Sequence, residues 1–429
     1  MTGLPPDVFL PLDGDSVRAE GSRNRVIEGD NLAVLTALQD SMTAGFKLVY
    51  IDPPYNTGRL FTYRDHCSTD WVEMMRPRVE AARSLLRDDG AIVVHIDEHE
   101  HARLVLLLDE VFGSAQRLGT IVWDKLNPKG DATGIANQHE YILCWAKDRS
   151  VFAKAHPLLR EKPNATRMLA KATALMTKVQ TGDDLAQANR AFREWIRGQA
   201  DLNGGEAAYN RIDADGQVFQ AVSMAWPNKR RAPDAYFAPL QHPITSKPCP
   251  VPARGWRNPP DTMEKLLTAG RIVFGADHTT QPRRKYLLAE NTSERIPSVL
   301  RDGSCDDDLL ARLGTPFDHA KPLSIARRIV RWFTRDPGDW VLDCFAGSGT
   351  VGHAVLAENA ERGAALGFVL IQAATPVIAE SAAAAAGYSD IAQLTRARLT
   401  ACIAEMDASA PRGADEDRGF GAERWSGRR

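Results

Sequence analysis

Short apolar runs recur along the first third of the chain, and stretches of helical spacing separate several of them. Arg25–Gly29 and Lys47–Ile51 (KLVYI) have the near-continuous apolar character of strands buried on both faces. Between them, Asn31–Gln39 carries its apolar residues at helical period. Asp70–Arg87 is predicted as a longer helix, with Asp70 and Glu73 in capping-box spacing, Gly90 beyond its end and Pro77 kinking it. Ala91–Ile96 reads as a strand, Glu98–Phe112 as a helix, and Leu118–Trp123 and Tyr141–Ala146 as further strands. Strands alternating with helices of this length predict a mostly parallel sheet covered on both faces.

The rhythm breaks after Asp148. Residues 151–220 look helical with mixed polarity, and 221–316 carry many prolines, aromatics and turns without a clean period. The alternation then resumes: Leu323–Phe333 as a helix, Trp340–Phe345 as a strand, a Gly-rich turn into a helix over Thr350–Glu361, and Gly367–Gln372 as a strand. Two strands alone are too few to bury both faces. One discontinuous α/β domain is therefore expected, built from residues 20–148 and 317–402 and interrupted by an insert at 149–316. Residues 403–429, rich in Gly, Arg, Asp and Glu, are expected to be a loose tail.

Composition narrows the class. With 44% hydrophobic and 25% charged residues the chain is globular in character, and a net charge of −2 does not by itself announce a nucleic-acid partner. No apolar run approaches the roughly 18 residues that span a membrane, and the N-terminus lacks the pattern of a secretory signal. No membrane partner and a cytoplasmic location are expected. The six cysteines (Cys67, Cys144, Cys249, Cys305, Cys344 and Cys402) include no C-x-x-C pair, so neither a structural zinc nor a disulfide framework is expected. His95, Asp97, Glu98, His99, Glu100 and His101 invite a metal reading, but they straddle a strand end and a helix start rather than sharing one face. Asp97 and Glu100 fit a capping box better.

Two motifs stand at predicted strand ends, where ligands of open α/β sheets bind. Asp52-Pro53-Pro54-Tyr55 follows KLVYI. Its prolines pin the backbone, leaving the Asp52 carboxylate and the Pro53 carbonyl as rigid acceptors beside the Tyr55 ring. Such a site suits the exocyclic amino group of a planar base. The second, Asp343-Cys344-Phe345-Ala346-Gly347-Ser348-Gly349-Thr350, runs from a strand into a helix N-terminus, where glycines allow close approach and N–H groups are unpaired. Its GSGTVG matches a dinucleotide fingerprint, which keeps an NAD(P)-dependent oxidoreductase as a competing reading. Gln372 stands where that fingerprint wants an acid.

Taken together, DPPYNTG and LDCFAGSGT resemble the amino-group DNA methyltransferases that use S-adenosylmethionine, and their order resembles the beta class. RVIEGDNLAVL, HEYILCWAKD, KPCPVPARGW and FDHAKPLSIARRIV resemble the Mod subunits of type III restriction–modification systems. The resemblance covers roughly residues 20–400. It implies a Rossmann-like methyltransferase sheet, mostly parallel with one antiparallel edge strand, and an inserted target-recognition domain. It implies adenine-N6 methylation of double-stranded DNA after base flipping, with cytosine-N4 methylation or a catalytically silent DNA-binding protein as alternatives. Asp52, Pro53, Pro54 and Tyr55 would form the target-base pocket. Phe345, Gly347, Ser348 and Gly349 would wrap S-adenosylmethionine, with Asp343 facing its ammonium group, Asp30 its adenine and Lys321 nearby. To double-stranded DNA the resemblance adds two further expected partners, a restriction subunit and a second copy of the chain.

The insert changes the reading of the charge. Residues 221–300 hold twelve Lys/Arg against six Asp/Glu, a local balance of +6. Lys229-Arg230-Arg231 and Arg283-Arg284-Lys285 alternate with Trp226, Tyr236, Phe237, Trp256 and Tyr286, a pattern suited to contacting phosphates and bases. These six cations are the expected DNA contacts.

Overall fold

The computed structural model describes residues 8–427, apart from 13, 66–69, 128–133, 181, 183 and 410–416; Cys67 lies outside the described residues. The chain divides into two compact units, Met1–Leu158 with Ile296–Arg429, and Leu159–Arg295.

The first segment of the larger unit runs β1 (Phe9–Pro11), β2 (Arg25–Glu28), α1 (Asn31–Met42), β3 (Phe46–Ile51), α2 (Trp71–Leu85), β4 (Leu86–Ile96), α3 (His101–Phe112), β5 (Arg117–Asp124), β6 (His139–Ala146) and α4 (Arg149–Ala155). The smaller unit contains β7 (Leu159–Glu161), α5 (Ala165–Gln180), α6 (Leu185–Arg197), α7 (Gly204–Ala207), β8 (Arg211–Ile212), β9 (Val218–Ser223), α8 (Pro260–Thr268), β10 (Ile272–Val273), β11 (Arg283–Leu287) and β12 (Ser293–Arg295). The larger unit resumes with β13 (Val299–Arg301), α9 (Asp307–Leu313), α10 (Leu323–Phe333), β14 (Trp340–Asp343), α11 (Thr350–Arg362), β15 (Gly367–Gln372), α12 (Ala382–Ala385), α13 (Ile391–Ser409) and β16 (Gly421–Trp425).

Ten strands of the larger unit form one sheet in the order β1-β16-β2-β15-β14-β3-β4-β6-β5-β13. The fold is α/β and Rossmann-like, as expected. Strands β16, β2, β15, β14, β3 and β4 are parallel neighbours, and β1 is the antiparallel edge strand. A second reversed strand, β6, lies inside the sheet, antiparallel to both β4 and β5. Period-two alternation sorts the strand side chains. Val26, Leu48, Tyr50 and Val93 enter one core with α10 and α11, whereas Ile27, Val49, Ile51 and Val94 enter the other with α1, α2 and α3. In the smaller unit, Met168, Phe192, Val218 and Leu288 share a separate core, beside a four-stranded antiparallel sheet, β10-β11-β9-β8. No described helix is long and apolar enough to cross a membrane.

Two expectations need correction. The segment after Asp407 is not loose throughout, because α13 continues to Ser409 and Phe420–Trp425 returns to the sheet. Phe420 and Ala422 are buried, and the charges that made this stretch look like a tail are neutralised by neighbours: Arg424 Nε lies 2.7 Å from Glu28 and Glu423 lies 3.1 Å from Arg25 Nε. Helix α3 begins at His101, not Glu98. Asp97 caps the preceding turn by accepting the His99 N–H, and Glu100 makes no side-chain cap. Helix α2 starts as expected, with Asp70 accepting from the N–H groups of Val72 and Glu73.

Candidate active site

Strands β3 and β14 are parallel neighbours, so their carboxyl ends bring Asp52 and Asp343 to the same rim. Both line one cavity of about 560 Å³, together with Pro53, Tyr55, Phe345 and Gly347. The two strand-end motifs thus share one site.

Asp52 Oδ1 is buried without a partner, while Oδ2 lies 2.9 Å from Lys321 Nζ. Burial pushes the Asp52 carboxyl above the usual range; Lys321 opposes that rise and Glu140 adds to it. Trp71, the first residue of α2, donates from Nε1 to the Pro54 carbonyl at 2.7 Å and so pins the diproline. The Tyr55 hydroxyl donates to Glu140 Oε2 at 2.9 Å. Asp65 accepts from the N–H groups of Asn56 and Thr57, and Glu100 from Asn56 Nδ2 at 2.8 Å, holding the loop that follows. Asn56 sits at φ +61°, a left-handed conformation that asparagine tolerates.

The opposite end is differently built. Asp343 is buried, accepts one N–H bond, from Phe345 at 2.9 Å, and meets no cation among the described residues. Burial pushes its carboxyl up to about 8, against the Phe345 N–H and helped by the charge of Asp52. Gly347 and Gly349 adopt φ +51° and +81°. A Cβ on Gly349 would stand 3.2 Å from Thr395, so only glycine makes this turn without strain. Gln372 Oε1 accepts the Gly347 N–H at 2.8 Å, Thr395 Oγ1 donates to the Gly347 carbonyl at 2.6 Å, and the buried Arg398 donates to Ser348 and Thr350. A cationic group carried by a flexible ligand fits this end: one buried carboxylate without a counter-ion faces a turn whose glycines leave room.

Not every expected residue stands where the sequence put it. Lys321 belongs to the Asp52 end rather than to the glycine turn. Asp30 lines the cavity, yet its carboxylate also caps α1 through the Ala33 N–H and lies 3.4 Å from Arg78. In the smaller unit Lys229 and Arg230 are exposed, as is Arg283 on β11. Arg231 pairs with Asp234 and lies over the Phe237 ring, and Arg284 lies over Tyr286. Lys285 is mostly buried, with Nζ 3.0 Å from Asp213, which makes it a cross-sheet ion pair rather than a ready phosphate contact. His95 is buried against the Tyr50 hydroxyl, and burial drives its imidazole down to about 3, hence neutral. No group of three metal-ligating side chains occurs among the described residues.

Sequence reasoning missed Glu140, Lys125, Asp65, Thr395 and Arg398. Only Glu140 carried a signal, as a lone acid inside the apolar strand HEYILCWA, where a buried charge demands a partner. It has two: Lys125 Nζ at 2.7 Å and Lys321 Nζ at 3.6 Å. Burial alone would raise the Glu140 carboxyl, but these two lysines hold it at about 2.

An acceptor cluster and a glycine turn thus stand on adjacent strand ends of a Rossmann-like sheet. Residues 46–374 match a family model described as DNA methylase, and the chain belongs to that family. It is 30% identical over 443 residues to the EcoP15I Mod subunit of a type III restriction–modification enzyme from Escherichia coli, covering 93% of this chain and 66% of that protein. The StyLTI Mod subunit of Salmonella typhimurium is 27% identical over 444 residues, covering 94% and 60%. The type II methyltransferase M.KpnI of Klebsiella pneumoniae is 24% identical over 405 residues, covering 91% and 88%. The chain therefore spans slightly less than two thirds of the Mod subunits it matches.

Proposed function

We propose that this chain transfers a methyl group from S-adenosylmethionine to the N6 amino group of adenine in double-stranded DNA. The observation that carries this reading is the shared cavity, with Asp52 and Pro53 at one end and the buried, uncompensated Asp343 at the other. Asp343, Phe345, Gly347, Ser348 and Gly349 would hold the cofactor, Asp343 taking its ammonium group. When bound, S-adenosylmethionine supplies a methyl group on a sulfonium sulfur.

The chain's own contribution is position and charge. The Asp52 carboxylate and the Pro53 carbonyl accept the two amino hydrogens, which favours a pyramidal nitrogen and stabilises the positive charge that develops on it. The Tyr55 ring offers the stacking face. The proton released from the methylated nitrogen passes to solvent. A base inside a duplex cannot reach such a pocket, so the target nucleotide is flipped out, at a cost of a few kcal/mol of unstacking. Adenine is favoured over cytosine because Asp-Pro-Pro-Tyr, rather than a Ser-initiated version, resembles the adenine-N6 members of the family. The smaller unit would read the DNA through Lys229, Arg230, Arg231, Arg283 and Arg284. The Mod relatives support a restriction subunit as a partner, and family resemblance supports a homodimer working in the cytoplasm.

The test is to incubate unmodified genomic DNA with the protein and S-adenosylmethionine and sequence it with modification-sensitive reads. N6-methyladenine at one recurrent motif is expected. N4-methylcytosine, or no modification together with preferential binding of NAD in equilibrium dialysis, would overturn the reading.

A further inference from the structure

Lys321 stands between two carboxylates. Its Nζ lies 2.9 Å from Asp52 Oδ2, 3.6 Å from Glu140 Oε2 and 4.7 Å from the centre of the Tyr55 ring, and 11% of its side chain is exposed. Glu140 is the second anchor. One oxygen accepts the Tyr55 hydroxyl while the other takes Lys125, so a single carboxylate seats both the aromatic platform and the lysine. Asp52 lines the cavity, and its second oxygen, Oδ1, is buried without a hydrogen-bond partner.

A carboxylate withdrawn from water tends to take up a proton unless a cation stands beside it. A protonated Asp52 would present a donor where an amino group needs an acceptor. We propose that Lys321 is a positioning residue: it holds Asp52 through one oxygen and keeps the group an ionised acceptor at the cavity despite its setting. This rests on the reading of Asp52-Pro53-Pro54-Tyr55 as an amino-group pocket.

The groups facing Asp52 agree in sign. Glu140 on β6 is an acid that favours protonation of Asp52, whereas Asp343 on β14, its own carboxyl pushed up to about 8, is neutral where Asp52 titrates. Tyr50, Tyr55 and Tyr63 are held neutral, their hydroxyls pushed well up first by burial and then by Asp52 itself. Lys125 is engaged with Glu140, and His95 is neutral. Lys321 is thus the cation that directly opposes protonation of Asp52, and it stays charged because Asp52 and Glu140 more than offset the cost of its burial.

The experiment is a carbon-13 carboxyl titration of the full chain, cofactor-free and labelled on aspartate, with the Asp52 resonance assigned by Asp52→Asn. In the wild type, Asp52 is expected to be ionised at pH 7; a protonated Asp52 there overturns the proposal without any variant at Lys321. In Lys321→Met the midpoint is expected to rise by at least about one pH unit, a tenfold change in proton affinity. Lys321→Arg should restore it. The acid limb of methyl transfer should move up in parallel in Lys321→Met. An unchanged midpoint in folded Lys321→Met overturns the proposal even if DNA is methylated. Failure of the wild type to methylate any DNA overturns the proposed function instead, because the titration does not depend on turnover.

Discussion

Asp52 and Asp343 close neighbouring strands of one sheet, both face one cavity, and they keep opposite company. Asp52 meets a lysine, which a second carboxylate holds in turn. Asp343 meets one backbone N–H and, among the described residues, no cation. Burying a charge beside its partner leaves a finished local balance, whereas burying it alone leaves a demand that a ligand can fill. The first arrangement suits a neutral guest that needs an acceptor. The second suits a guest that brings its own positive charge. One site can then hold two substrates without confusing their ends.

Four measurements would break or sharpen that contrast. The largest effect belongs to Asp52→Ala, which should lower methyl transfer at least about 10²-fold, the scale of removing one preorganised electrostatic group. Cofactor affinity, read by equilibrium dialysis, should stay within about twofold; a parallel loss of both would merge the two ends. Next, Asp343→Asn should weaken S-adenosylmethionine binding by roughly 30-fold or more, since truncating a buried charge pair costs about 2–5 kcal/mol. Unchanged affinity would remove Asp343 from the ammonium site.

A smaller effect concerns stability. Asp343 is raised to about 8 in the fold and lies near 3.9 in an unfolded chain, so the folded state binds the extra proton between those values. Its contribution to stability is therefore fully present below about pH 4 and is lost as pH rises toward 8. The melting temperature of the cofactor-free protein should fall between pH 5 and pH 8 relative to Asp343→Asn, and a difference independent of pH would contradict the assignment. The smallest change expected is Gly349→Ala. Strain at φ +81° and the approach to Thr395 should cost about 1–2 kcal/mol, a drop of a few degrees in thermal unfolding.

Much of this was legible in the sequence because the informative signals were local. KLVYI and WVLDCF announce buried strands, and the residues that follow them carry acceptors, prolines and glycines whose backbone demands are specific. The partners of those residues were not legible. Lys321 is nearly 270 positions from Asp52, and Arg398 is 50 from the turn it supports, so no window of sequence contains both members of either pair. Strand β16 escaped notice because Glu423 and Arg424 look solvated until Arg25 and Glu28 are placed beside them. The direction of strand β6, antiparallel to both β4 and β5, leaves no mark on its apolar pattern.

The strand order also dictates how the molecule must come together. Strands β2 and β3 are consecutive in the chain but have β15 and β14 between them, so the first segment cannot complete its own sheet. At roughly 5–20 residues per second, a ribosome needs on the order of ten seconds to a minute to make the intervening chain. Until then the edges of β2 and β3 are unpaired and prone to wrong partners. The Asp343 end of the cavity is missing during that interval, because it is the insertion of β14 that brings Asp343 beside Asp52. Assembly of the cavity therefore waits for β14, and insertion of that strand is the slow step to look for in refolding kinetics.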